Sequence, residues 1–257
     1  MILEKVFDSA SLRLEGRKIR DVRIGLGLMA VELDSGLIGV TYVLRNEIDH
    51  TCGVLPQAGN LIGMPAVEAA GWAAEGNDVI RSALGLAVLN AAAQFDKLQP
   101  IDENSDPDAV FAADIRPGDT IGVIGYIGPV ISRLQGRDHK ILIFERDAEK
   151  EEQVYPESAE PELLPNCQVV FITSSTLING TLESLLHHCS GARDIVMVGS
   201  STPLYPEAFA GTGVTSLSGT EWLSEHSASI LTGVSQCAGI RQLMKYGRKI
   251  SVKVPKQ

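Results

Sequence analysis

Paired cysteines are missing from this sequence. Its four cysteines, Cys52, Cys167, Cys189 and Cys237, lie far apart and form no CxxC. That spacing argues against a disulfide framework and signals no closed structural zinc site. Basic charge is also short, with 22 Lys and Arg against 32 Asp and Glu and a formal net charge of -10. A general nucleic-acid or anionic-membrane surface is therefore not expected. Long apolar runs are absent as well. The longest, Ala83 to Ala93, contains Asn90 and is too short to span a bilayer. The N-terminal stretch scatters charges among its apolar residues and shows no signal-peptide core. The expectation is a cytoplasmic protein with neither nucleic acid nor membrane as partner. With 257 residues, 44% hydrophobic and 21% charged, the chain can bury a sizeable core and hold two domains.

The most informative stretch runs from Gly118 to Glu145. Thr120 to Ile124 is a β-branched run suited to a strand buried on both faces, and it ends in Gly125, Tyr126, Ile127, Gly128 and Pro129. The glycines permit a tight turn, and Pro129 suits the first turn of a helix whose N–H groups can hold an anion. A second strand, Lys140 to Phe144, ends in Glu145, 20 residues after Gly125. An acid there is where a Rossmann-type site meets a ribose hydroxyl. The fingerprint is incomplete, because Ile127 stands where a middle glycine would let a pyrophosphate approach the backbone.

Ahead of this stretch, Ile2, Leu3, Val6, Phe7 and Ala10 predict an amphipathic helix over residues 1–15. Arg20 to Leu33 reads as one strand and Leu37 to Leu44 as its hairpin partner, with Gly25 and Gly27 marking a bulge or a close backbone contact. A polar loop with His50 and Cys52 follows. Two helices come next, one entered through Pro65 and one capped by Asn77 or Asp78 and continuing to about Phe95. The alanines and Gly85 of the second helix suggest close helix packing.

From Leu98 to Pro117 the chain turns acidic and proline-bearing, which divides it into residues 1–98, a linker at 99–117 and residues 118–257. Beyond the linker, strand-like runs at Thr120–Ile124, Lys140–Phe144, Gln168–Ile172, Asp194–Val198 and Val214–Leu217 alternate with helical segments. This pattern predicts a mostly parallel α/β sheet, with Lys249–Val254 as an edge strand. Ala148 to Asn166, rich in Glu and Pro, is expected to be mostly solvated loop.

Ligands of such sheets sit beyond the carboxyl ends of the strands. Those ends carry Gly125, Tyr126 and Gly128; Glu145; Thr173, Ser174 and Ser175; Gly199, Ser200, Thr202 and Pro203; and Ser218. Small Gly, Ser and Thr residues let a ligand approach the backbone and supply neutral hydrogen bonds. Each group alone also reads as a turn or helix cap, and their repetition along one edge is what favours a site. Metal ligation has His50 and Cys52 as its candidates. Cys189 shares an apolar helix face with Leu182, Leu185 and Leu186, which turns His187 and His188 toward solvent. No HExxH and no nucleophile elbow is present.

The chain resembles the putative heavy-metal chelation family, a family of unknown function. The likeness lies in Ile121 to Gly125, Ile141 to Glu145, Leu164 to Cys167, Phe171 to Thr173, Val198 to Leu204 with its Gly-x-x-Thr-Pro-Leu, and Leu217 to Gly219. Asn60 to Pro65 and the Ser82–Asn90 helix are similar too. The resemblance implies an enolase N-terminal-like α+β domain followed by a Rossmann-like domain, with a ligand site in the cleft between them. The partner expected is a small molecule or a metal complex; a divalent or heavy metal ion is the cofactor candidate, and homo-oligomer formation stays open. A chelator built on thiolates needs clustered soft ligands, and only Cys52 is placed for the cleft. The expected function is binding, or transformation, of a small anionic or metal-chelating ligand there. A nicotinamide-dependent oxidoreductase and an S-adenosylmethionine-dependent methyltransferase are the alternatives.

Overall fold

Helix α3 (Val79–Ala91) is apolar nearly all round and buried from Ser82 to Ala91, so the first part of the chain assembles about it. In the computed structural model, which describes residues 1–48, 52–76, 78–101, 112–146 and 154–256, α1 spans Ile2–Leu14 and buries Ile2, Val6, Ala10 and Leu14 at a spacing of four. The antiparallel meander β1 (Ile19–Ile24), β2 (Leu28–Leu33), β3 (Ile38–Tyr42) follows, then α2 (Ala66–Glu75) and α3. Asp78 caps α3, its carboxylate accepting from the N–H groups of Ile80 and Arg81 at 2.7 and 3.0 Å. Helix α3 lies in backbone contact with both neighbours. A Cβ on Gly39 of β3 would sit 2.0 Å from the Ala87 carbonyl oxygen, and one on Gly85 would sit 2.4 Å from the Ala73 nitrogen of α2.

The seven-stranded sheet has the order β10-β9-β8-β7-β4-β5-β6. Its strands are β4 (Thr120–Ile124), β5 (Lys140–Phe144), β6 (Val154–Tyr155), β7 (Val169–Thr173), β8 (Asp194–Val198), β9 (Ser216–Trp222) and β10 (Gly247–Lys253). All neighbours pair in parallel except β10, which runs antiparallel along β9. The order runs outward from β4 through β5 and β6, then restarts at β7 on the other side. That is the Rossmann-like reversal, with its switch point between β4 and β7. The helices α4 (Gly128–Leu134), α5 (Glu160–Leu163), α6 (Ser175–Ile178), α7 (Leu182–His188), α8 (Ser227–Ser235) and α9 (Ile240–Leu243) connect and cover the strands. No helix among the described residues is long and apolar enough to cross a membrane.

The two sheets share cores. One apolar cluster contains Val6, Met29 and Leu84 together with Phe144, Leu177 and Leu217. A second seats Ile230, Leu231 and Val234 of α8 on Leu28, Ala30 and Val40 of the small sheet. Strand β2 is thereby covered on both faces.

Four sequence expectations need correction. The single strand Arg20–Leu33 is two strands, because Gly25 and Gly27 make a turn in which Gly25 N–H bonds the Leu28 carbonyl at 2.8 Å; Gly25 also packs so tightly on α8 that a Cβ would lie 2.4 Å from the Val234 oxygen. Helix α3 stops at Ala91, short of Phe95. Residues 154–166, expected as solvated loop, form β6, α5 and flanking 3-10 turns that bury Leu164 and Glu160. Ser218 to Glu221 lie within β9, which overshoots β8 and is held there by pairing with β10. Asn77 and most of the acidic connection, residues 102–111, lie outside the described residues.

Candidate functional site

The carboxyl edge of the seven-stranded sheet opens into a cavity of about 870 Å³. Tyr42 at the end of β3, with Leu44 and Glu47 just beyond it, forms one wall. The ends of β4, β5, β7 and β8 and the middle of β9 form the floor, and α7, α9 and β10 close the rim. Both parts of the chain thus contribute to one cavity at the switch point, where the physics of the fold puts ligands.

The turn after β4 is dictated by its first glycine. Gly125 has φ 84°, and a Cβ there would come within 2.8 Å of the Thr173 methyl on the neighbouring strand. Tyr126 projects half-exposed into the opening, and Gly128 begins α4, where a Cβ would meet the Tyr126 ring at 4.0 Å. Glu145 closes the turn from β5. Its carboxylate accepts from Tyr126 N–H at 2.9 Å and from Arg146 N–H at 3.0 Å. The acid expected to meet a ribose therefore binds the glycine turn itself, occupying a donor that a phosphate would use.

Arg146 next to it is held between carboxylates. Its Nη1 lies 2.5 Å from Glu47 Oε1, and its Nε pairs with Glu157. Asn179 Nδ2 donates to the same Glu47 oxygen at 3.1 Å. Glu160, the first residue of α5, lines the cavity at 9% exposure. Burial pushes its carboxyl up to about 7, the nearby Glu157 charge adds to the shift, and Arg146 opposes it.

Of the other residues expected at the strand ends, Thr173, Ser175, Gly199, Ser200 and Ser218 line the cavity. Ser174, Thr202 and Pro203 are buried outside its lining. Ser174 and Thr202 keep hydroxyls without hydrogen-bond partners among the described residues. Ser200 is 5% exposed, and its Oγ approaches the Tyr42 phenol without meeting hydrogen-bond geometry. Burial raises the pKa of that phenol. Ser201, which follows, accepts from Tyr42 N–H at 2.9 Å and, through its carbonyl, from Asn90 Nδ2 at 3.3 Å. The β8 loop is in this way tied to both β3 and α3.

Cys52 is exposed and outside the lining, and His50 lies outside the described residues. Cys167 and Cys189 are buried, with burial pushing their thiols up to about 11 and about 12. No group of three or more His, Cys, Asp or Glu among the described residues is placed to hold a metal ion. His188, expected in solvent, lines the cavity instead, while His187 is exposed. The polar stripe Thr181, Ser184, His188 at helical spacing was the signal for this. Arg241 and Lys249 also line the cavity and carried no comparable signal.

The family model DUF364, described as "Putative heavy-metal chelation", matches residues 108–253, and DUF4213, with the same description, matches residues 7–93. The uncharacterized protein MJ0500 of Methanocaldococcus jannaschii is 29% identical over 150 residues, which are 58% of this chain and 57% of that protein; the match thus spans little more than half the length of this relative. Among solved structures, a DUF364-family protein of unknown function from Pyrococcus horikoshii superposes with a TM-score of 0.80 at 23% identity, over 99% of this chain and 100% of that one. A second, from Desulfitobacterium hafniense, gives 0.75 at 24% identity over 97% and 98%. These likenesses bear on the fold.

Proposed function

The chain belongs to the DUF364 family, described as putative heavy-metal chelation, and from that premise we propose that the cavity binds a small anionic or metal-chelating ligand between the two parts of the chain. The observation that carries this reading is the cavity itself, about 870 Å³ at the switch point and lined from both sheets. Metal, on this reading, arrives as cargo. The donor set argues against capture of a bare soft ion, because the two buried thiols hold their protons and the exposed Cys52 and Cys237 lie outside the lining. Glu157, Glu160 and His188 offer harder donors on one side, so an organic ligand that brings most of the coordination shell fits better.

A nicotinamide-dependent oxidoreductase and an S-adenosylmethionine-dependent methyltransferase rank behind. Both would use the Gly125 turn and Glu145, and that turn lacks its middle glycine while its Tyr126 N–H is already bonded to Glu145. The division at residues 99–117 belongs to the same proposal, with the ligand bridging the two parts.

The test is native mass spectrometry and metal analysis of the purified full chain. Calorimetry follows with NADH, S-adenosylmethionine, nickel ion and nickel citrate, in wild type, in Glu145→Ala and in Ser175→Trp, which places a bulky ring on the cavity floor. Nickel citrate bound more tightly than bare nickel, and lost in Ser175→Trp, is the expected result. Tight NADH binding lost in Glu145→Ala selects the dehydrogenase. Binding indifferent to Ser175→Trp puts the site elsewhere and removes the proposal.

A further inference from the structure

The β9–β10 end of the cavity carries positive charge that no carboxylate among the described residues pairs. In the antiparallel pair, Lys249 lies opposite Thr220 and Ser251 opposite Ser218. Alternation therefore puts Lys249 and these three hydroxyl residues on one face. Lys249, Thr220 and Ser218 all line the cavity, as does Arg241 of α9. Arg248, one residue away and on the opposite face, is paired with Glu221. Among the described residues, neither Arg241 nor Lys249 has a carboxylate partner. In a chain of net charge -10, two cations at one end of one cavity with no carboxylate partner among the described residues are not explained by general surface composition.

An independent observation points the same way. Gly199 N–H bonds the Ser218 carbonyl at 3.1 Å, which brings the β8 loop against β9, and Ser200 is the next residue. Its hydroxyl is buried, lines the cavity and, although it approaches the Tyr42 phenol, meets hydrogen-bond geometry with no partner among the described residues. A buried hydroxyl left in this state is destabilising, and an acceptor entering the cavity removes that cost. Ile240 and Met244 supply apolar surface beside the cations.

We infer that Arg241, Lys249 and the Ser200 hydroxyl form an oxyanion subsite, which takes a carboxylate or phosphate at one end of an extended ligand. The inference rests on the cavity being the binding site. It adds the ligand's orientation and the chemistry of one end. From β9 to β5 the floor crosses four strand spacings, roughly 19 Å. A ligand anchored on β9–β10 that also reaches Glu160 and His188 is therefore elongated, with its acidic group at the Lys249 end. Because the attraction is between partly solvated charges, added salt weakens it.

Inorganic phosphate and citrate, each titrated into the full chain by calorimetry at low and high salt, test this. The variants are the Arg241→Met/Lys249→Met pair, Ser200→Ala and Ser175→Trp, with melting curves to confirm folding. Wild type should bind one of the two, with the preferred probe telling phosphate from carboxylate, and salt should weaken it. The paired variant should lose about tenfold or more and Ser200→Ala about threefold or more. If neither probe binds at millimolar concentration, or binding ignores the paired variant, the subsite is overturned. A probe lost in Ser175→Trp but not in the paired variant sinks the subsite while leaving the cavity as the site. A probe indifferent to both sinks both.

Discussion

The two ends of the cavity use charge differently. At the β5–α5 end, Arg146 lies between Glu47 and Glu157, Asn179 adds to Glu47, and Glu145 caps the glycine turn. These charges are structural, since each already has a partner and joins segments distant in sequence. At the β9–β10 end, Arg241 and Lys249 have no such partners among the described residues. A cation with its counter-charge built in holds a fold together, and one without it is available to a ligand. Glu160 is the exception at the first end, a buried carboxyl with no side-chain hydrogen bond among the described residues, and altering it should disturb the comparison most.

The Glu160 carboxyl has its pKa raised from 4.5 to about 7, so the folded state binds a proton more tightly than the unfolded chain. The stability this gives is fully present below pH 4.5 and is lost as pH rises through 7. Glu160→Gln does not titrate. It should match wild type near pH 4 and be more stable by about 3 kcal/mol at pH 8, as read from urea midpoints at the two pH values. A variant less stable at pH 8 would mean that the ionised carboxylate has a partner, and the contrast between the ends would shrink.

Arg146→Ala should come next, at about 1–2 kcal/mol of stability lost, because two partly exposed carboxylates are left without their shared partner. High salt should reduce the loss. The Glu47→Gln double-mutant cycle checks the coupling, and a coupling indistinguishable from zero would make Arg146 as free as Lys249.

Much of this was legible in the sequence where burial is symmetric. Strands β4, β5 and β8 have the predicted bounds, since a parallel strand covered on both faces reads as an apolar β-branched run ended by Gly or a charge. The glycine turn and Glu145 were legible for the same reason. Legibility failed where tertiary partners decide the outcome. The polar run Ser218 to Glu221 looks like a loop, and only pairing with β10 makes it strand. Glu160 sits in a Glu- and Pro-rich stretch whose composition hides one buried helix start. His188 was assigned to solvent because Cys189 marks the apolar face. The polar stripe Thr181, Ser184, His188 meets the cavity, and a polar stripe reads equally well as a solvated face until the tertiary fold covers it. Arg241 and Lys249 come from a four-residue helix and an edge strand, and the topology alone brings them together.

The thiols give a smaller contrast that needs no ligand. Cys167 and Cys189, buried and raised to about 11 and about 12, should react slowly with a disulfide reagent at pH 8. Cys52 and Cys237, both exposed, should react faster. Denaturant should abolish the difference, and equal rates in native protein would show that the core about α7 opens readily.

The smallest expected change is the most telling for the comparison. Lys249→Met removes an exposed cation with no counter-charge among the described residues, on a strand whose backbone pairing with β9 it leaves untouched. Surface substitutions of this kind stay within about 0.5 kcal/mol, and removing one of two like charges at the same rim works in the stabilising direction. Unfolding of the ligand-free variant should therefore match wild type while its affinity for the preferred oxyanion falls. A stability loss above about 1 kcal/mol would show that Lys249 already has structural work, as Arg146 does. The two ends would then be alike, and the case for an oxyanion at β9–β10 would lose its main support.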